Sequence, residues 1–263
     1  MANKKDRHLI IGAGEVGTAV FNVLRKHYPT FIRDKEDGLE GRFEVLHIAY
    51  PPAKGFVQTT KKHAEKYKPR LVIIHSTVPV GTTKKIGTMA VHSPIRGMHS
   101  KSHHPGTNHM GKQSKVRGDS VYFAKTIKNF VKYFGGPKAE IAAAYFSEIG
   151  VPTRCFNKSE TTELAKILDT TYYGWNVIFA KEVKRICDKH SLDFDEVYTI
   201  PNQHYNQGYK KHGLRHVVRP VLKHIPGGIG GHCVVPNAYL LDDWLTKTLR
   251  ERNEIYKRRS KTA

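Results

Sequence analysis

Apolar residues in the first half of the chain come in short bursts, each closed by glycine, proline or a charged residue, with helix-spaced stretches between them. His8-Leu-Ile-Ile-Gly12 is an unbroken run ending at glycine, the pattern of a buried parallel strand. From Glu15 to Lys26 the apolar positions Val16, Ala19, Val20, Val23 and Leu24 follow helical spacing. Phe31-Ile32 predicts a second strand and residues 44–49 a third, stopped by Pro51-Pro52. A lysine-rich helix up to Tyr67 then leads into a strand over residues 71–75. Residues 89–92 and 129–134 continue the rhythm, and a helix over 137–149 with a strand over 151–156 closes it. The alternation predicts an α/β fold with a Rossmann-type doubly wound parallel sheet.

The texture changes after Asn157. Ser159 is placed to cap a helix with Thr162 and Glu163 in its first turn. That helix is expected to run to about Lys189 and to bury Leu164, Ile167, Leu168, Trp175, Ile178, Phe179, Val183 and Ile186, with Gly174 loosening it midway. A shorter helix is expected from residue 191, then a loop over 201–220. The expected organisation is a nucleotide-binding domain over residues 1–157 and a helical central or dimerisation domain over 158–263. Between Pro94 and Gly118 lies a long polar loop, of a length that in a compact domain usually marks function or mobility.

Hydrophobic content of 39% fits a globular protein rather than a disordered one. No run approaches the apolar length that crosses a bilayer. Cys155, Cys187 and Cys233 are an odd, widely spaced set, so reduced thiols and a cytoplasmic location are expected. Charge is the unusual bulk feature. Lys and Arg total 44 against 23 Asp and Glu, a net charge of +21. Such a surface attracts anions, so the small-molecule substrate is expected to be anionic. The plain reading of the charge is a solvated basic surface. The alternative is a nucleic-acid or other polyanion partner, although no reader motif accompanies it.

Two stretches carry chemistry. Gly12-Ala-Gly14-Glu15-Val16-Gly17 is a GxGxxG turn placed directly after a strand and opening a helix, the context of dinucleotide binding. Gly12 permits the tight turn, Gly14 lets pyrophosphate approach the backbone, and Gly17 allows close helix–strand packing. Asp34, past the second strand, is placed to accept hydrogen bonds from an adenosine ribose, and Arg33 beside it leaves NADP open beside NAD. At the other end, residues 226–237 put Cys233 behind two glycine pairs, on a backbone bare enough for a substrate to reach the thiol. No metal site is expected: His99, His103, His104 and His109 match no common ligand spacing. One of them, or His92 at its strand end, is a candidate base.

Four blocks in order give the chain a resemblance to the UDP-glucose/GDP-mannose dehydrogenase family. They are Gly12–Gly17, His75-Ser-Thr-Val-Pro-Val-Gly-Thr-Thr83, Glu163-Leu-Ala-Lys166 and Gly230-Gly-His-Cys233. The sequence ends soon after the last block, so the family's third, nucleotide-gripping domain is expected to be absent. The resemblance implies NAD-dependent oxidation of a sugar primary alcohol through a cysteine-bound intermediate, in a homodimer. By position, Cys233 is the nucleophile, Lys166 stabilises the oxyanion, and Thr77 holds a water or the nicotinamide side. Tyr50 and Ser76 join the cofactor contacts. Asn206, Tyr209, Arg219, Gly230 and Asn237 join Lys166 as substrate contacts. Ile95, Thr170 and Asn237 depart from the glutamate, asparagine and aspartate of the family pattern, which implies a rebuilt acid–base set. Two other functions fit the residues: a two-domain hydroxyacid dehydrogenase, and a non-catalytic nucleotide- or polyanion-binding descendant.

Overall fold

The computed structural model describes residues 2–34, 39–97, 123–231 and 233–259. They fall in two compact units, Met1–Ile167 and Leu168–Ala263. In the first, seven strands form one sheet: β1 His8–Ile11, β2 Thr30–Arg33, β3 Val45–Ile48, β4 Leu71–Ile74, β5 Ala90–His92, β6 Lys132–Gly135 and β7 Thr153–Phe156. Their order is β2-β1-β3-β4-β5-β6-β7. Every pair is parallel except β5 and β6, which join antiparallel at His92 opposite Gly135. The chain steps from β1 to β2 on one side and returns to β3 on the other. Loops leaving the ends of β1 and β3 therefore diverge, and α/β sheets bind ligands in the crevice such a reversal opens.

Alternate residues of each strand feed two separate cores. Ile10, Val45, Ile73, Val91 and Phe134 pack with helices α1 (Glu15–Leu24) and α4 (Ala139–Ser147). Leu9, Ile11, Leu46, Ile48, Val72 and Ile74 pack with α2 (Phe56–Tyr67) and α3 (Thr82–Ile86). Burial on both faces is why these strands read as continuous apolar runs.

The long helix α5 spans Ser159–Lys189. Ser159 is its first helical residue rather than its cap, and its hydroxyl donates to Glu160 Oε2 at 3.1 Å. The buried seam is Ile167, Thr171, Gly174, Ile178 and Lys181, spaced alternately four and three residues apart. Leu164, Phe179 and Ile186, expected inside, are exposed. The apolar residues of this helix occupy more than one face, and a single periodic stripe cannot hold them all. Gly174 does not loosen the helix. A Cβ there would lie 2.5 Å from Leu249 and 2.7 Å from Val234, so it permits close packing.

Beyond α5 the expected loop over 201–220 is largely helical. A π-turn Asp195–Thr199 runs into α6, Ile200–Lys211, followed by a 3₁₀ turn Arg215–Val217. Pro201 lies in the first turn of α6, directly after the π-turn. Upstream, Asp193 Oδ1 accepts from the amides of Asp195 and Glu196 at 2.8 and 2.9 Å. The short helix α7 (Val234–Ala238) and the terminal α8 (Trp244–Arg259) complete this unit. No described helix is long and apolar enough to cross a membrane.

Candidate active site

The turn after β1 is built by three glycines with different duties. Gly12 has φ +104°, and a Cβ on it would fall 2.8 Å from the backbone of Ala49 and Tyr50, at the end of β3. A Cβ on Gly17 would fall 1.8 Å from the Gly12 carbonyl oxygen. Both are required by the fold itself. Gly14 differs: it is exposed, and nothing lies within 4 Å of where its Cβ would stand. It is the N-cap of α1, so the positive end of the helix dipole opens onto that space. The bare backbone suits a pyrophosphate. Glu15 and Val16 continue the same turn half-buried, and Asp34 is exposed past the end of β2. Arg33 is drawn the other way, donating to Tyr67 Oη at 2.9 Å. Tyr50 follows β3; its hydroxyl pairs with Thr60 at 2.7 Å, its acidity is weakened by burial, and its carbonyl accepts from Ser76 Oγ at 2.6 Å. These residues fit a dinucleotide.

Two of the sequence blocks are tied together. Buried Glu163, near the start of α5, accepts from the amides of Gly81 and Thr83 at 2.6 and 2.8 Å, so its carboxylate seats the start of α3. Burial raises its pKa, against the pull of those bonds. The Ser76–Thr83 loop carrying half-buried Thr77 is thereby fixed to the helix turn that carries half-buried Lys166. His92 adds a second tie, bonding Thr162 Oγ1 at 2.9 Å and the Ser76 carbonyl at 3.2 Å. Burial first, then neighbouring Lys132 and Lys166, push its pKa down to about 3 against the Ser76 hydrogen bond. A fully buried, doubly bonded imidazole is a structural group, not the general base expected. His99, His103, His104 and His109 lie outside the described residues. Ile95 is buried in the core shared with α4.

Sequence reading missed a polar group inside the sheet. His8, His47, His75 and Lys132 are all buried and linked to one another. The available signal was a basic residue in or beside each of four apolar strands.

In the second unit, Cys233 is exposed at the N-cap of α7, and its carbonyl accepts from the Asn237 amide at 3.0 Å. Gly227 and Gly231 take left-handed φ of +82° and +81°, and Gly230 has open space around it. The loop is held from beneath. Buried Lys181 donates to the carbonyls of Ile225 and Gly227 at 2.5 and 2.7 Å, and Asn253 Oδ1 accepts from the Ile229 amide at 2.6 Å. Neither residue was singled out from sequence. Asn237 donates to Thr170 Oγ1 at 3.3 Å, so two of the three departures from the family pattern are partners. Asn206 is spent on backbone: its side chain donates to the Arg219 carbonyl and accepts from the Arg219 amide, both at 2.8 Å. Exposed Arg219 stacks 3.5 Å over the Tyr205 ring, whose centroid lies 4.5 Å from that of Tyr209. Among the described residues no three His, Cys, Asp or Glu side chains are grouped to hold a metal.

A reversed-order sheet with this glycine turn, followed by one long helix into a helical unit, defines the class: a Rossmann-type dehydrogenase fold. No protein-family model matches the chain. An NDP-N-acetyl-D-galactosaminuronic acid dehydrogenase of Ralstonia solanacearum is 26% identical over 200 residues, 70% of this chain and 43% of that protein. The chain thus spans less than half the length of that relative. The solved UDP-D-ManNAc dehydrogenase of Pyrococcus horikoshii superposes at TM-score 0.68 with 19% identity, covering 94% of this chain and 68% of that one. A 3-hydroxyisobutyrate dehydrogenase of Mycobacterium tuberculosis superposes at 0.64 with 12% identity, covering 98% and 94%. The chain is a homologue of the nucleotide-sugar dehydrogenases over part of their length.

Proposed function

We propose that this chain is an NAD-dependent oxidoreductase that oxidises the primary alcohol of a nucleotide sugar by way of a cysteine adduct. The observation that carries the reading is Gly14, left bare at the positive end of α1 in the crevice between β1 and β3. NAD bound there would supply the hydride acceptor. Gly14 and the α1 terminus hold its pyrophosphate, Asp34 accepts from the ribose, and Tyr50, Ser76 and Thr77 line the approach. The Lys166 ammonium stabilises the oxyanion, a contribution of about 3 kcal/mol for one well-placed donor. The Cys233 thiolate would add to the aldehyde carbon as a thiohemiacetal, loss of a second hydride to another NAD would leave a thioester, and water would release the acid and free the thiol. Asn237 is bonded to Thr170 and cannot serve as the base for that hydrolysis near neutral pH. That hydrolysis therefore needs a base other than Asn237; without one the reaction stops at the aldehyde after a single two-electron oxidation. Arg219, oriented by Tyr205, grips the anionic part of the substrate. Exposed Tyr172, Phe179 and Ile186 recur every seven residues on α5, a seam suited to a second copy of the chain.

The test is incubation with NAD and a panel of nucleotide sugars, following reduced cofactor and product mass, with Cys233→Ser in parallel. Acid product in the native chain, lost in the variant, supports the reading; aldehyde from both chains would keep the oxidation and remove the cysteine step. Tight cofactor binding without turnover would move the chain to a non-catalytic role. A second reading is a hydroxyacid dehydrogenase, a class whose fold the chain shares. Turnover of a hydroxy acid, unchanged by Cys233→Ser, would select it.

A further inference from the structure

A row of basic side chains crosses the sheet beneath α4. His47 on β3 lies opposite Ile10, two residues beyond His8, and opposite Ile73, two residues before His75. Each step across the strands therefore moves two residues toward the C-terminal edge of the parallel sheet. His8 Nδ1 is 2.9 Å from His47 Nε2, and His47 Nδ1 is 3.0 Å from His75 Nε2. His75 Nδ1 is 3.0 Å from the Ser93 carbonyl and 3.3 Å from Lys132 Nζ, which also donates to that carbonyl at 3.0 Å. All four side chains are 2% exposed or less. The Phe146 ring of α4 covers His47, His75 and Lys132.

The two ends of the row differ. At the N-terminal edge, His8 Nε2 makes no hydrogen bond among the described residues. It stands in a corner formed by the rings of Tyr28 and Tyr145, with the charges of Asp6 and Arg70 acting on it. Asp6 is bonded by Arg70 and Tyr145, and Tyr28 donates to Glu148. At the C-terminal edge, Lys132 feels the charge of Lys166, and His75 that of Lys132 and His92.

Burial holds the imidazoles of His47 and His75 neutral, takes His8 down to about 4, and drives Lys132 well below its usual range. A neutral imidazole has one donor and one acceptor, so the row has two registers. In one, every Nδ1 carries its proton and the last donates to the Ser93 carbonyl. In the other, every Nε2 carries its proton and Lys132 donates to His75 Nδ1. A proton accepted at one end and released at the other converts one register into the other, leaving no net charge in the core.

The geometry points to a proton relay: His8, His47, His75 and Lys132 carry a proton between the edge of the sheet bearing Lys166 and the Asp6–Tyr145 corner at the opposite edge. Going outward, Lys132 protonates His75 Nδ1, the His75 Nε2 proton passes to His47 Nδ1, and the His47 Nε2 proton passes to His8 Nδ1. The His8 Nε2 proton then passes to the Asp6 carboxylate, the acceptor in that corner whose charge acts on His8. Ring flips or the return of a proton reset the row. Its use rests on the oxidoreductase reading, since removing a hydride from an alcohol also frees one proton. Its test does not.

Ring N–H exchange with solvent is followed by NMR in the full chain labelled with ¹⁵N-histidine, without cofactor or substrate. Nitrogen–nitrogen couplings are expected across both imidazole pairs. Exchange at His75 is expected to be faster than at backbone amides of the same strands. His8→Phe or Lys132→Met closes one end, so passage would strand an imidazolium in the core. Either variant is then expected to slow His75 exchange by about tenfold or more, while backbone amide exchange reports whether each has folded. Absent couplings, or His75 exchange unchanged in a folded variant, would overturn the relay. Loss of dehydrogenase activity alone would leave these readings untouched.

Discussion

A methyl group added at Gly14 meets no protein atom within 4 Å, whereas one at Gly17 would stand 1.8 Å from a backbone carbonyl. Two conservative substitutions therefore separate folding from binding. Gly14→Ala is expected to change unfolding free energy by no more than about 1 kcal/mol, yet to weaken NAD binding at least about tenfold. Gly17→Ala is expected to cost about 2–4 kcal/mol of stability. Calorimetric NAD titration beside urea unfolding checks both. The buried imidazoles make a second expectation. His8, His47, His75 and His92 have folded-state values below their ordinary 6.5, so the unfolded chain takes up these protons first as pH falls. Their contribution is complete above pH 6.5 and is lost below it, for His8 down to about 4 and for His92 down to about 3. The slope is about 1.4 kcal/mol per histidine per pH unit in that window. Lys132 acts with the same sign below its ordinary 10.5. Urea midpoints measured between about pH 7.5 and about pH 5 should fall steeply below 6.5 in the native chain and less in His92→Gln.

At the scale of elements, β1, β3 and β4 were legible because burial on both faces makes each an apolar run with a hard stop. The glycine turn was legible because its context, strand before and helix after, is itself visible in sequence. The histidine row was not, because His8, His47 and His75 lie far apart in the chain and meet only when β1, β3 and β4 pair in register. Nor was α6: its sequence offers few apolar residues, and Pro201 reads as a breaker unless it is known to sit in a first turn. The long helix was read correctly in extent and only partly in facing. Gly174 shows why, since a glycine that looks like weakness in a helical pattern is where α8 comes close, through Leu249. Gly174→Val is expected to destabilise the fold by about 1–3 kcal/mol through overpacking, measurable as a lowered urea midpoint.

For the molecule as a whole, a net charge of +21 accompanies an exposed seam of Tyr172, Phe179 and Ile186. If that seam pairs two copies, Tyr172→Asp with Phe179→Asp should yield a monomer in sedimentation while leaving NAD affinity within about twofold. Ionic strength then acts in opposite directions on the two kinds of association. Pairing brings like-charged bodies together, so added salt should tighten it by screening their repulsion, whereas an anionic ligand drawn by the same charge should be released. A protein built this way would tend to stand apart from its own kind in dilute buffer and gather in brine.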